Sequence, residues 1–252
     1  MPPLPLTGQR ALVAGGSRGI GFGIALGLAR AGAQVAICAR GQNGLDDAAA
    51  RFAAEGLAAH TASCDLADAT QLARWIEEAA SALGGIDILV NNASGFGNGA
   101  SEADWEASLQ VDLMGPVRAS RAALPWLRKS QQPAILNVSS INGQVPTPRT
   151  VAYSTAKAAL NYYTTALATE LAPEKIRVNA IAPGSIEFDG GLWARRRTEA
   201  PELYERIRAR IPFGGFGEVD AVADAAVFLC GPSARWITGQ ILAVDGGQSL
   251  PG

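Results

Sequence analysis

The chain has 252 residues, of which 48% are hydrophobic and 17% are charged, a composition typical of a globular protein with a sizeable core. Its 21 basic and 23 acidic residues give a net charge of −2, which offers no electrostatic basis for binding nucleic acid or an anionic membrane. No apolar stretch reaches membrane-spanning length, and the first eight residues have neither the basic region nor the apolar core of a secretory signal. We therefore expect a cytoplasmic location.

Histidine and cysteine are scarce, which argues against two common types of catalytic site. His60 is the only histidine and has no nucleophile motif near it, so a Ser-His-Asp triad is not predicted. Cys38, Cys64 and Cys230 are widely separated, and without a C-x-x-C motif they do not indicate a metal site. We interpret them as small core residues of a protein in a reducing compartment.

Apolar segments of strand character alternate with helical patterns along the chain. The predicted strands are residues 10–14, 34–38, 58–64, 86–90, 134–138, 177–181 and 240–244. The predicted helices are residues 20–31, 44–55, 69–83, 105–129 and 153–171. This alternation predicts an α/β fold: a doubly wound sheet of about seven parallel strands with helices on both faces.

The chain shows no composition break and no internal repeat, so we expect one domain over residues 1–252. Residues 186–216, here called the lid segment, are the exception to the strand–helix alternation. They contain glycines, a charged amphipathic helix and three consecutive arginines, and they are too long for an ordinary strand–helix link. The segment is either a mobile lid over the site or a surface excursion with a solvated basic helix.

A glycine-rich segment lies between the first predicted strand and the first predicted helix. Glycines there let the chain turn tightly and let a pyrophosphate approach backbone N–H groups at the helix N-terminus. A glycine pattern alone is typical of any tight turn, but its position in a strand–glycines–helix unit predicts a dinucleotide site. The expected contacts are Gly15, Ser17, Arg18, Gly19, Ile20 and Gly21.

The end of the second strand indicates which dinucleotide binds. An acid at this point takes the ribose hydroxyls of NAD, whereas a base accepts the 2′-phosphate of NADP. The strand runs into Ala39 and Arg40 with no acid, and Arg18 lies in the nearby glycine segment. Two guanidinium groups and no carboxylate favour NADP(H) over NAD(H). The alternative is that Arg40 is an ordinary exposed side chain in an arginine-rich protein.

Tyr153 and Lys157 are four residues apart in a predicted helix and therefore share one helix face. A cation near a phenol favours the phenolate and lowers the pKa of the tyrosine. Only 3 of the 21 basic residues are lysines, and an ammonium, unlike a guanidinium, can shed its charge. Ser140, at the end of an apolar run, is placed to hold a substrate oxygen beside the phenol. The alternative is an ordinary exposed helix face.

Taken together, these motifs resemble the short-chain dehydrogenase/reductase family over essentially the whole chain, with similarity to its 3-oxoacyl-carrier-protein reductases. Further motifs occur in the family's order: Asp65, Asn91-Asn92-Ala93, Asn179, Pro183-Gly184 and Asp245-Gly246-Gly247. The resemblance implies a Rossmann-type domain, usually in a homotetramer, that interconverts carbonyls and alcohols with NAD(P).

The resemblance also implies a role for each matched residue. Tyr153 would be the general acid or base, Lys157 would lower the pKa of Tyr153 and hold the nicotinamide ribose, and Ser140 would bind the substrate oxygen. The other implied cofactor contacts are Asp65 and Leu66 at the adenine, Asn91 and Asn92 in the cleft, Pro183 and Gly184, and Ile186 at the carboxamide.

Three positions depart from the family pattern. Ala14 replaces a threonine before the glycines, and Phe188 replaces a threonine after Ile186, where it either narrows the cleft or packs in the lid segment. Asp112 replaces the asparagine that is the family's fourth catalytic residue. A carboxylate there is expected to stabilise the Lys157 ammonium, which would raise the pKa of Lys157 and could also raise that of Tyr153.

The leading hypothesis is an NADP(H)-dependent enzyme that interconverts a ketone and a secondary alcohol. The three departures motivate an alternative, a catalytically weak cofactor-binding protein with a structural or sensing role; a second alternative is an NAD(H)-dependent alcohol dehydrogenase. The expected partners are a small carbonyl or alcohol substrate and further copies of the chain. Arg128 and Lys129 are either contacts for an acidic carrier protein or solvated charges, and a sugar, steroid or xenobiotic ketone is an equal candidate substrate.

Overall fold

The computed structural model describes residues 4–97 and 99–250 of the protein. Residues 1–3, at the start of the segment in which no secretory signal was predicted, lie outside this part of the chain, as does Asn98. Seven strands form one sheet: β1 (Arg10–Ala14), β2 (Gln34–Ala39), β3 (Ala59–Ser63), β4 (Ile88–Asn91), β5 (Ala134–Val138), β6 (Arg177–Pro183) and β7 (Ile241–Val244).

All neighbouring strands in the sheet are parallel, in the order β3-β2-β1-β4-β5-β6-β7. The order reverses between β1 and β4, and open α/β sheets bind their ligands in the crevice at such a switch point. The predicted α/β class with seven parallel strands is confirmed.

Helices cover both faces of the sheet. They are α1 (Gly19–Arg30), α2 (Gln42–Ala54), α3 (Ala69–Leu83), α4 (Glu102–Ser108), α5 (Gly115–Leu127), α6 (Val151–Leu171), α7 (Leu192–Glu199), α8 (Pro201–Arg208) and α9 (Val219–Cys230). One apolar core lies between the sheet and α1, α2 and α9, and a second between the sheet and α3, α5 and α6. Successive strand residues alternate between the two cores, as Leu12 and Val13 do, which explains why the strands are apolar throughout.

The single helix predicted over residues 105–129 was wrong in detail. The helical stretch begins at Glu102, because Ser101 and Asp104 form a reciprocal capping box. Between α4 and α5 the chain forms a π-helical segment, Leu109–Met114. Pro116 lies in the first turn of α5, two residues after this segment. A proline lacks the N–H group of a regular helical hydrogen bond and crowds the preceding turn. Asp112 therefore lies on an irregular turn in the middle of the helical stretch.

The lid segment contains two short helices, α7 and α8, where one was expected. An isolated parallel bridge between Ile186 and Gly217 closes its base. Cys38, Cys64 and Cys230 are buried and unpaired, as expected for core residues, and burial raises the pKa of the Cys230 thiol to about 12. Among the described residues, no helix is both long and apolar enough to cross a bilayer.

Candidate active site

The predicted site residues gather at the carboxyl edge of the sheet. Gly15 follows β1, Asp65 follows β3, Asn91 ends β4, Ser140 follows β5 and Gly184 follows β6. Parallel strands bring these separate motifs to one edge because all their carboxyl ends point the same way.

The glycine loop forms a cradle that side chains would fill. A Cβ atom on Gly21 would collide with the Gly15 carbonyl and the Asn92 amide, and one on Gly15 would lie 2.9 Å from Ala93 Cα. The side chain of Arg18, the residue that caps α1, accepts no hydrogen bond from the helix. No side chain within residues 4–97 and 99–250 accepts a hydrogen bond from the first N–H groups of α1, and a helix N-terminus of this kind suits a phosphate. The loop fits the pyrophosphate of a dinucleotide.

A cavity of about 490 Å³ lies beside this loop. It is lined by Ser17, Arg18, Gly44, Asp47, Ala50 and Arg51. Arg18 and Arg40 are exposed, and neither takes part in an ion pair with any residue that the structure describes. Arg40 does not line the cavity. The charged groups in its walls are the guanidinium groups of Arg18 and Arg51 and the carboxylate of Asp47.

Several residues predicted to contact the cofactor have side chains that are hydrogen-bonded to other groups of the protein. Asn91 is buried and donates to Asn137 Oδ1 at 2.8 Å, while Asn92 donates to the Gly15 carbonyl at 2.8 Å. The Asp65 carboxylate accepts a hydrogen bond from the Ala67 amide at 3.1 Å, and Leu66 is buried. These side chains brace the cleft.

The end of β6 continues the floor of the cleft. The Gly184 amide donates to the Val244 carbonyl at 3.0 Å, and Gln248 accepts from the Ser185 amide at 2.8 Å. The carboxylate of Asp245 caps the following turn by accepting from the Gly247 and Ser249 amides. Pro183 and Ile186 are buried, and Ile186 packs in the core that also contacts α1.

The turn after β5 positions Ser140. Its hydroxyl accepts from the Asn142 amide at 3.2 Å, within a 3₁₀ turn over Ile141–Gly143. This turn presses against α6: a Cβ on Gly143 would lie 2.7 Å from the carbonyl carbon of Lys157. Asn161 reinforces the contact by donating to the Gly143 carbonyl at 3.1 Å. The close packing holds Ser140 against the helix face that carries Tyr153 and Lys157.

Lys157 is held by three elements at once. Its ammonium donates to the Val138 carbonyl at 2.8 Å and lies 3.0 Å from Asp112 Oδ1. It also lies 5.5 Å from the centre of the Tyr153 ring. The other oxygen of Asp112 accepts from the Gly95 amide at 2.9 Å. The side chains of Asp112 and Lys157 are only 0% and 3% exposed, so the ion pair is buried.

The buried ion pair sets the ionisation of the site. Burial by itself lowers the pKa of Lys157, but the charges of Asp112 and Tyr153 outweigh it, and the pKa lies above the usual lysine value. For Tyr153, burial is the largest effect and raises the pKa of the phenol. Lys157 and the Ser140 hydroxyl lower this pKa and Asp112 raises it, with a net increase. Tyr153 is therefore a neutral phenol near pH 7.

Sequence reasoning did not identify Val138, Gly95, Gly143 or the packing of Phe188. The first two act through backbone groups, which leave no residue-type signal. Phe188 lies with its ring against Gly19, since a Cβ on Gly19 would be 2.5 Å from Phe188 Cζ. The two residues are far apart in sequence, and only the fold brings them together.

Comparison with known proteins shows what the chain is similar to. The family model described as enoyl-(acyl carrier protein) reductase matches residues 14–249. Dehydrogenase/reductase SDR family member 4 of Homo sapiens is 36% identical over 250 residues, covering 96% of this chain and 88% of that protein. The 3-oxoacyl-[acyl-carrier-protein] reductase FabG of Aquifex aeolicus is also 36% identical, covering 97% of this chain and 99% of that protein.

Solved structures give the same result. A short-chain dehydrogenase from Burkholderia cenocepacia, solved in complex with NADP, has a TM-score of 0.87 and 35% identity, covering 97% of this chain and 99% of that one. A short-chain dehydrogenase/reductase mutant from Serratia marcescens has a TM-score of 0.89 and 31% identity, with the same coverage of 97% and 99%. These matches confirm the family indicated by the motifs: the chain belongs to the short-chain dehydrogenase/reductase family of oxidoreductases.

Proposed function

We propose that the protein is an NADP(H)-dependent oxidoreductase that interconverts a ketone and a secondary alcohol, with Tyr153 as the general acid and base. The observation that carries this proposal is the arrangement of Ser140, Tyr153 and Lys157 at the sheet edge, beside a glycine loop that fits a pyrophosphate. When bound, the nicotinamide cofactor supplies or accepts the hydride.

The residues of this chain would handle the proton and the oxygen. In the reductive direction the Tyr153 phenol gives its proton to the carbonyl oxygen, and the Ser140 hydroxyl supports the charge developing there. The Lys157 ammonium stabilises the phenolate left on Tyr153. A neutral phenol holds the proton that the reductive direction requires, and the same group would accept a proton in the oxidative direction.

The preference for NADP(H) rests on Arg18 and Arg40. Both guanidinium groups are exposed and lack an ion-pair partner within residues 4–97 and 99–250, and the first faces the cavity beside the glycine loop. A 2′-phosphate would supply the missing counter-charge. The complex of the Burkholderia relative with NADP supports the same preference.

We also propose that the chain, as one domain, forms a homotetramer. Two separate surfaces expose large apolar side chains: Tyr162 on α6 is 78% exposed, and Trp236, near the edge strand β7, is 97% exposed. Phe228 on α9 and Leu242 on β7 extend the second surface. A tetramer of paired dimers requires two distinct surfaces, each of which pairs with the same surface of another copy, and these two apolar surfaces are the candidates.

The catalytic proposal predicts the behaviour of Tyr153→Phe. Without the phenolic proton, turnover of NADPH with a reactive ketone should fall by about 10²- to 10⁴-fold, the usual contribution of a general acid. Tyr162→Phe keeps the ring that α6 presents to the proposed subunit contact and removes only its hydroxyl, so it should keep the wild-type rate. A panel of ketones with NADPH and NADH is the assay. Equal residual rates for the wild type and Tyr153→Phe on every ketone would favour the cofactor-binding alternative.

Asp112→Asn should retain activity and change its pH dependence. Removing the carboxylate removes an effect that raises the pKa of both Lys157 and Tyr153. Reduction needs the phenol and declines as pH rises through the Tyr153 pKa, whereas oxidation needs the phenolate and increases there. Both limbs of the pH–kcat/KM profiles should therefore move to lower pH. Asp224→Asn, on the exposed side of α9, is the control, and an unchanged profile for Asp112→Asn would contradict this role.

Arg40→Asp and Arg18→Ala should each weaken the use of NADPH. A lost charge-assisted hydrogen bond corresponds to about 1.5–3 kcal/mol, so kcat/KM for NADPH should fall by about 10- to 100-fold. The value for NADH should stay constant or increase. Arg74→Ala removes an exposed arginine of α3 and should change neither value. A wild-type protein that uses NADH as well as NADPH would overturn the assignment.

The tetramer is tested by light scattering coupled to gel filtration. The wild type should elute with four times the chain mass of 26.0 kDa. Trp236→Asp places a charge on the surface at β7 and should yield dimers, whereas Trp126→Phe, away from that surface, should remain tetrameric. A wild-type mass equal to one chain would contradict the proposal.

A further inference from the structure

The ring of Phe188 lies on the part of the glycine loop that fits a pyrophosphate. A Cβ atom built on Gly19 would lie 2.5 Å from Phe188 Cζ and 2.7 Å from Cε2, which places the ring directly against that glycine. Gly19 is the first residue of α1, whose first N–H groups have no side-chain acceptor among the residues that the structure describes. An aromatic ring offers those groups no strong acceptor, whereas a phosphate does.

Most of the contacts that hold the lid segment together do not involve this ring. Trp193 stacks on Phe216 with ring centres 4.7 Å apart, and Tyr204 contacts the same ring at 4.7 Å. The Tyr204 hydroxyl donates to Glu187 at 2.8 Å, and Arg197 lies 3.5 Å from the same carboxylate. This aromatic cluster fixes α7 and α8 to the base of the lid segment. The Phe188 ring itself packs against the core and against Gly191 at the start of α7, where a Cβ atom would lie 3.0 Å from the ring.

Phe188 lies between a fixed base and a tight glycine turn. On one side, the base is fixed: the Glu187 amide donates to the Gly217 carbonyl at 2.9 Å. On the other side, Gly191 donates to the Phe188 carbonyl at 2.9 Å and closes a tight turn through Gly190. Gly190 has a φ of +72° and open space where a side chain would be. For the ring to leave Gly19, this turn must change and the ring must give up its contacts with Gly191 and the core, contacts that favour the closed position.

We propose that Phe188 is a gate on the pyrophosphate site: its ring covers Gly19 and must swing away before the dinucleotide phosphates reach the N-terminus of α1. The proposal rests on the proposed dinucleotide function. A protein that binds only in its open state has an apparent affinity reduced by the open fraction. A gate that is closed for about nine-tenths of the time weakens binding about tenfold.

The test compares NADPH binding to the wild type and Phe188→Ala, by calorimetry and by stopped-flow detection of NADPH fluorescence. The wild-type binding rate should level off at high NADPH, because gate opening becomes limiting. In Phe188→Ala the rate should rise linearly and the Kd should fall about tenfold. Phe188→Leu, which keeps an apolar but shorter side chain, should fall between them and serves if the alanine variant folds poorly.

Two controls isolate the gate. Phe213→Ala removes an 89% exposed aromatic ring from the same lid segment and should bind NADPH like the wild type. Adenosine 2′-monophosphate has the 2′-phosphate but no pyrophosphate, so its Kd should be the same for the wild type and Phe188→Ala.

The outcomes separate the gate from the underlying function. Equal Kd values and equal linear kinetics for the wild type and Phe188→Ala would overturn the gate while leaving dinucleotide binding intact. Weaker binding by Phe188→Ala would also overturn it, since the ring would then be a supporting wall of the site. If neither protein bound NADPH or NADH, the dinucleotide function would fail and the gate with it.

Discussion

The buried ion pair between Asp112 and Lys157 is the interaction on which the site depends. Burying two charges is costly unless both are paired and hydrogen-bonded, and here the remaining polar contacts come from the Val138 carbonyl and the Gly95 amide. The pair therefore connects the end of β5, helix α6, the π-helical segment and the loop after β4. It fixes the ammonium next to Tyr153 and sets the charge that the phenol experiences. The same ion pair therefore determines the position of the Lys157 ammonium and contributes to the pKa values of Lys157 and Tyr153.

The local sequence around Pro116 explains how an acid reaches this position. In a regular α-helix through residues 105–129, every backbone hydrogen bond would join residues four apart. The π-helical turn before the proline instead joins residues five apart, which adds a residue to that turn. That extra residue shifts the register between α4 and α5, and Asp112 is the acid within the shifted turn. A proline that looks unfavourable for a helix is thus part of the way the site is built.

The sequence predicted those features that depend on local spacing. Buried parallel strands are apolar throughout, so β1 and β5 were located at their observed bounds, and the i, i+4 rule placed Tyr153 and Lys157 on one face. Features that depend on distant partners were not predictable: Asn91 bonds Asn137 inside the protein, and Arg128 pairs with Glu174 at 2.6 Å. Because Glu174 already pairs with Arg128, Arg128 is a weaker candidate contact for an acidic carrier protein than an unpaired arginine would be.

The three departures from the family pattern have different structural consequences. Ala14 is buried in β1, and the loop after it is braced by the Asn92 side chain on the Gly15 carbonyl, so the cradle keeps its shape without the threonine. Asp112 preserves a polar contact to Lys157 and replaces a neutral group with a charge, which adjusts the ionisation of Tyr153 without displacing it. Phe188 comes from a distant part of the chain and places its ring against Gly19 of the glycine loop. If the proposed function holds, Asp112 and Phe188 therefore act on proton transfer and on cofactor entry, and the arrangement of Ser140, Tyr153 and Lys157 is retained.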